Sequence, residues 1–295
     1  MRRCLIAITG LTLAGAAVAP SNLVQNEYAF VQAVADHGIR DGFLKYLDKQ
    51  AITFSPRPVN AYDLYQGRKP SSTKLDWYPT YALVASSGDF GVDTGPWNAS
   101  WTQDGKQQKA YGEWLTIWSR NKAGAWHALF DSGVNHDTVS LEQALKAGGD
   151  VAQLHAPVTH LTADQAHKAL LKAEMDFGAV AGDGALRAAY AQFGSDDIRL
   201  LRDGKLPVVG RDKVVNDLPA GKSALTWKPS GGSVAGSGDL GYLYGLTYQV
   251  DDKAFSAPVT AYVHVWRRDK DRWWLFIALD APLPPPPPPA QPAQR

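Results

Sequence analysis

The chain has 295 residues, 45% hydrophobic and 20% charged, with 30 Lys plus Arg against 29 Asp plus Glu. That length and composition suit one large or two ordinary folded domains, and the near-zero net charge excludes the broad basic field of a nucleic-acid binder. A single cysteine, Cys4, excludes a disulfide framework and a cysteine-based metal site.

In chain order, the first element reads as a leader. Arg2 and Arg3 precede an apolar stretch from Leu5 to Ala19 that ends in small residues, the pattern of a secretory signal over residues 1–19. Cleavage after Ala19 or after Ala16 fits, and the mature protein is then expected in the periplasm or outside the cell. A membrane anchor is the competing reading, although the stretch is shorter than the roughly 20 residues of a spanning helix.

Residues 25–36 place Phe30 and Val34 on one helix face, and Ile39, Phe43 and Leu47 mark a second, shorter helix. Strands follow. On one of them Tyr111, Glu113, Leu115 and Ile117 share a face, while Trp114, Thr116 and Trp118 share the other. Residues 120–124 make a polar turn into the next strand. Ser140 with Gln143 predicts a short helix ending at Gly148 and Gly149, and His155, Pro157 and His160 lie in a connecting loop. Thr162 with Gln165 forms a capping box for a helix over 164–181. Apolar alternation over 240–250 and 262–266, with a turn at 268–271, predicts long strands closing in a hairpin. From Pro284 to Pro289 the chain is all proline, so 284–295 reads as a stiff, disordered tail.

Residues 75–95 and 225–245 are identical at ten of 21 positions, where unrelated segments would share about one or two. The shared positions include Trp77 with Trp227, Pro79 with Pro229, and Ser87-Gly88-Asp89 with Ser237-Gly238-Asp239. Glu27, Phe30, Asp36 and Arg40 find Glu174, Phe177, Asp183 and Arg187, displaced by 147. Trp118, Arg120, Lys122 and Trp126 find Trp266, Arg268, Lys270 and Trp274, displaced by 148. The chain therefore reads as two copies of one α+β domain, over 24–136 and 163–281, joined by a linker at 137–161.

A first helix carrying ExxF, a second helix, then W-x-P and SGDxG strands and a closing Trp-to-Trp hairpin resemble the nuclear transport factor 2 superfamily. Within it the pattern is most similar to SnoaL-like, ketosteroid-isomerase-like bacterial domains. The resemblance implies two cone-shaped domains, each with N-terminal helices packed on a curved, mainly antiparallel sheet that opens to a pocket. Some members are isomerases, hydrolases, cyclases or dehydratases and others only bind, so the fold does not select a reaction. The isomerase residue set does not map onto this sequence.

Candidate chemistry falls in the first copy. Glu113 on an apolar sheet face would have a raised pKa and serve as acid or base, and Asp93 in a neighbouring stretch offers the same. Their counterparts in the second copy are Ala261 and Leu243. Asp131 and His136 are read as following the last strand of the first copy and could meet as an acid–base pair at the mouth of the cone. Tyr111, Leu115 and Trp97 are the candidate ligand-lining residues. The seven His residues show no ligand spacing, so no metal is expected, and no glycine motif suits a phosphate or dinucleotide cofactor.

Among the abundant aromatics, Trp114, Trp118, Tyr262, His264 and Trp266 either line a pocket or pack the two sheets together as an intramolecular pseudo-dimer, the second being favoured. The leading expectation is an exported binder of a small apolar or amphipathic molecule. The alternatives are an isomerase, hydratase or hydrolase using the first copy's acids, or an envelope interaction module. Neither nucleic acid nor, once the leader is removed, a membrane is an expected partner.

Overall fold

A computed structural model describes residues 21–140, 142–145, 152–154, 161–183, 186–221 and 225–284. The leader, the tail from residue 285 and the loop holding His155, Pro157 and His160 lie outside the described residues. No helix among the described residues is long and apolar enough to cross a membrane.

The first half opens with helix α1 (Ser21–Tyr46), then β1 (Leu47–Phe54), β2 (Pro58–Asn60), α2 (Ala61–Gln66), β3 (Lys74–Trp77) and β4 (Tyr81–Val84). Three long strands complete it: β5 (Phe90–Gln103), β6 (Lys106–Arg120) and β7 (Trp126–His136). A two-residue strand, β8 (Ala152–Gln153), lies between the halves. The second half begins with α3 (Ala163–Asp183), α4 (Leu186–Phe193), β9 (Gly194–Arg202), β10 (Val208–Val209) and α5 (Arg211–Asp217). It ends in β11 (Leu225–Val234), β12 (Leu240–Gln249), β13 (Pro258–Asp269) and β14 (Arg272–Pro282).

The architecture is α+β with two sheet-based domains. The first sheet runs β2-β1-β7-β6-β5-β4-β8 with β3 also on β5, and the second runs β10-β9-β14-β13-β12-β11. Successive long strands pair antiparallel, as hairpin turns require. β1 with β7 and β9 with β14 are parallel pairs. The sequence reading had helices first and strands afterwards; instead β1 and β9 follow the first helices and pair across the sheet. Leu47, expected on a helix, is the first residue of β1. Within α1 the two expected N-terminal helices are both present, parted at Gly38, whose non-helical φ of 81° and ψ of 168° are accessible to glycine.

In both halves the helix shows the sheet an apolar stripe: Leu23, Phe30 and Val34 on α1, and Leu170, Phe177 and Ala181 on α3. The capping box is present, with Thr162 N–H donating to Gln165 Oε1 at 2.9 Å and Gln165 N–H to Thr162 Oγ1 at 3.2 Å. β11 runs past the whole of β12 with a bulge between Pro229 and Gly231, where the first half divides the same path into β3 and β4. At this bend a Cβ on Gly95 would lie 2.1 Å from Tyr78 O, and one on Gly245 would lie 2.1 Å from Lys228 O. The repeated glycine is therefore a consequence of backbone crowding.

The two sheets meet through their faces remote from the helices. Leu115, Ile117, Phe130 and Val134 share one buried cluster with Val263, Val265, Phe276 and Leu279. This corrects the assignment of the large aromatics. Trp114 and Trp118 belong to the cluster under α1, and Trp266 to the one under α3. Tyr262 and His264 lie on the Trp266 side of β13. Aliphatic side chains suit the shallow space between facing sheets, about 10 Å deep, whereas the concave side has room for indoles.

The SGD turns add polar contacts between the halves. Ser86 N–H donates to Asp239 Oδ2 at 2.9 Å, and Gly236 N–H to Asp89 Oδ2 at 3.1 Å. The hydroxyls of Ser87 and Ser237 lie 2.9 Å apart. Each contact recurs with the halves exchanged, as across a twofold axis. Ser140 and residues 142–145 are not helical, contrary to the sequence reading; the rest of that predicted helix lies outside the described residues. Leu145 N–H donates to Pro79 O, and Glu142 ion-pairs with Arg199 of the second half at 3.1 Å. Ser140 Oγ accepts from Glu142 N–H at 3.3 Å rather than from Gln143 as a capping box requires.

Candidate functional site

The concave face of the first sheet, roofed by α1 and α2, holds a cleft of about 410 Å³. The bend at Gly38 carries Phe43 over the sheet, where its ring stacks on Tyr65 of α2 at 4.3 Å. Trp77, Trp97 and Trp114, from β3, β5 and β6, form indole walls, and Asp131 of β7 is the wall's one carboxylate. Arg68 lies over the Tyr65 ring at 4.4 Å and lines the same space. Thr116 Oγ1 donates to Asp131 Oδ2 at 2.7 Å. Burial raises the Asp131 pKa to about 6 despite that bond, so its charge changes just below neutrality. A cleft with three indoles, the polar side chains of Thr53, Ser132 and Asn135, one titratable acceptor and one guanidinium suits an amphipathic aromatic molecule.

Further in, the helix stripe carries an acid. Glu27 is fully buried on α1, accepting from Trp77 Nε1–H at 2.5 Å. Its neighbour is Asp93, equally buried, which accepts from Trp118 Nε1–H at 2.9 Å. Burial raises Glu27 to about 8, offset in part by the Trp77 bond. Asp93 rises through burial and then through the charge of Glu27. Two such carboxyls cannot both ionise in that space, so at neutral pH they retain a proton between them.

The second half solves the same problem with a base. Glu174, at the place of Glu27, accepts from Trp266 Nε1–H at 2.9 Å and lies 3.0 Å from His264 Nδ1. Leu243 stands in for Asp93 and His264 for Thr116. Burial alone would lower the His264 pKa, but the charge and hydrogen bond of Glu174 outweigh it and hold it up. In the sequence Glu27 and Glu174 stand out only as repeat markers. A Glu inside an apolar i, i+3, i+4 stripe in both copies was the signal to pursue.

The candidate residues fall into three places. Asp131 and Trp97 line the cleft, and Asp93 lies beneath it beside Glu27. Glu113, Leu115 and His136 lie on the opposite, intersheet face of the first sheet, and Tyr111 is the register partner of His136. Asp131 and His136 therefore do not form a pair, because five residues along an alternating strand reverse the side-chain direction. His136 Nε2 instead lies 3.4 Å from Glu113 Oε1, both buried. Burial and the charge of Glu142 raise Glu113 to about 8, against the opposing pull of Arg199. Leu115 is core, not ligand lining. No group of three His, Cys, Asp or Glu among the described residues is placed to hold a metal ion.

Solved structures similar to this chain include an ntf2-like protein with a cystatin-like fold from Novosphingobium aromaticivorans. It is 14% identical with a TM-score of 0.31, over 41% of this chain and 83% of that one. A protein of unknown function with a cystatin-like fold from Nostoc punctiforme is 14% identical with a TM-score of 0.34, over 43% and 96%. The association domain of C. elegans CaMKII is 11% identical with a TM-score of 0.31, over 38% and 92%. No family model and no curated protein matches the chain.

Proposed function

We propose that the first half binds a small amphipathic aromatic molecule in the cleft between Phe43, Tyr65, Trp77, Trp97 and Trp114. The observation that carries this reading is an indole-walled space whose only wall carboxylate among the described residues is Asp131, with Arg68 lining the same space. The apolar body of the ligand lies against the indoles, and a hydrogen-bond donor on it meets Asp131. In this reading each half is a nuclear transport factor 2-like domain, and the two pack as an intramolecular pseudo-dimer; the reciprocal Ser86–Asp239 and Gly236–Asp89 bonds support that. Export rests on the basic and apolar pattern of residues 2–19.

A second reading makes the cleft catalytic, with Asp131 as a general base for an isomerase or hydratase type of reaction. Its support is a buried carboxyl with a pKa raised to about 6 in the wall of the cleft. Glu113 and His136 have no part in it, since they lie on the other face. A thermal-stability screen of aromatic amines, phenols and acids separates the outcomes. Stabilisation is expected for donor-bearing aromatics, abolished in Trp97→Ala and weakened about tenfold in Asp131→Asn, the effect of losing a charge-assisted hydrogen bond. Equal stabilisation of all three proteins contradicts the site. Conversion of a stabilising compound by the wild type and not by Asp131→Asn establishes the catalytic reading.

A further inference from the structure

The second half carries polar groups where the first half has its indole walls. Trp227 repeats Trp77, but Thr247 stands at the place of Trp97 and Tyr262 at that of Trp114. Asp280 is the register partner of Tyr262, as Gly133 is of Trp114. Register also joins Trp227 to Thr247 and Asp280 to Arg202, so these residues form a band across the helix-facing side of the sheet. Phe177 of α3 covers it, meeting Trp227 at 5.6 Å and His264 at 5.1 Å between ring centroids.

Four donors on this face are buried without a hydrogen-bond partner among the described residues: Trp227 Nε1, Thr247 Oγ1, Tyr262 OH and His264 Nε2. Thr247, Tyr262 and His264 are at most 1% exposed. A buried donor that nothing meets forfeits the hydrogen bond it made to water, so four together call for an acceptor. The indole can only donate. His264 has Nδ1 3.0 Å from Glu174 Oε1, whose charge holds the His264 pKa up, and Nε2 is a donor when the ring is protonated. The Nε of Arg202 is likewise buried without a partner, while its terminal nitrogen ion-pairs with Asp217. Two carboxyls face the same band: Glu174, beside Tyr262 and offset by the His264 ring 3.0 Å away, and Asp280, whose pKa burial raises against the lowering effects of His264 and Arg202.

We propose that this face binds the carboxylate of a small organic acid, with Trp227, Thr247, Tyr262 and His264 donating to its oxygens and Arg202 supplying positive charge. A carboxylate offers about four lone-pair sites, which a neutral carbonyl does not. The site is separate from the first-half cleft, and neither requires the other.

The test is a titration of the 15N-labelled full chain, reading the Trp227 indole N–H signal, with butyrate, butyramide and inorganic phosphate as probes. Butyrate is expected to shift that signal saturably, and butyramide to bind at least about tenfold more weakly for want of charge-assisted bonds. Thr247→Val and Tyr262→Phe should each weaken butyrate about tenfold while keeping the wild-type Tm, and Trp97→Ala should leave the titration unchanged. An unmoved indole signal, or butyramide equal to butyrate, overturns the proposal. So does phosphate binding more tightly than butyrate, or a crystal structure in which ordered waters satisfy the four donors and butyrate does not displace them.

Discussion

Asp93 and Glu27 share buried space with hydrogen bonds from Trp118 and Trp77, whereas Glu174 has His264 beside it. The exchange of Asp93 for Leu243 and of Thr116 for His264 turns an acid pair into an acid–base pair. Both arrangements bind protons more tightly than an unfolded chain would. Raised carboxyl pKa values mean that the native state holds more protons than the unfolded state between about pH 4.5 and 8. The contribution is complete below the ordinary carboxylate range and is lost as pH rises through the raised value; His264, also raised, acts in the same direction. The Tm is therefore expected to fall as pH rises from 5 towards about 8.5. Asp93→Asn keeps an acceptor for Trp118 and gives Glu27 a donor, so it should flatten that slope and raise the Tm at the alkaline end. Calorimetry across the pH range checks this, and an unchanged slope would show that the pair does not share a proton.

At the scale of elements, the bend of β3 into β4 and its counterpart in β11 depend on the absence of a Cβ at Gly95 and Gly245. Gly95→Ala and Gly245→Ala should each destabilise the protein by about 3 kcal/mol, because the added methyl meets a carbonyl oxygen with no room to move. Urea unfolding measures it, and losses under about 1 kcal/mol would show that the strands can part there. Elements with local signals were legible in the sequence: the Thr162–Gln165 box, the helix stripes and the polar turns before β7 and β14. The faces of β6 were separable but not assignable, since Trp114–Trp118 and Leu115–Ile117 are both apolar and both buried. Nothing local states that α1 lies on the indole side. For the same reason Trp97 and Asp131 could be named as candidates, but Glu113 could not be told from a cleft residue. β1 and β9 were missed because their parallel partners lie far along the chain and leave no mark on spacing.

Over the whole molecule, the intersheet cluster draws side chains from both halves, and the SGD turns tie their ends together. An apolar layer shared in this way makes each half a condition for the other's burial. Urea unfolding followed by tryptophan fluorescence and by far-UV circular dichroism should therefore give coincident single transitions. Two separated transitions would show halves that fold independently. The shared layer also explains the division of labour. With the intersheet faces engaged in packing, both proposed sites fall on the helix-facing sides of the sheets, one walled by indoles and the other by hydrogen-bond donors.

That the first half's cleft binds an amphipathic aromatic molecule is the central claim, and native mass spectrometry of the purified full chain tests it most directly. The wild type is expected to carry, or to acquire from the aromatic panel, one bound molecule that Trp97→Ala does not retain. A wild type that stays bare with every compound while remaining folded, or a Trp97→Ala protein that binds as well, would contradict the account.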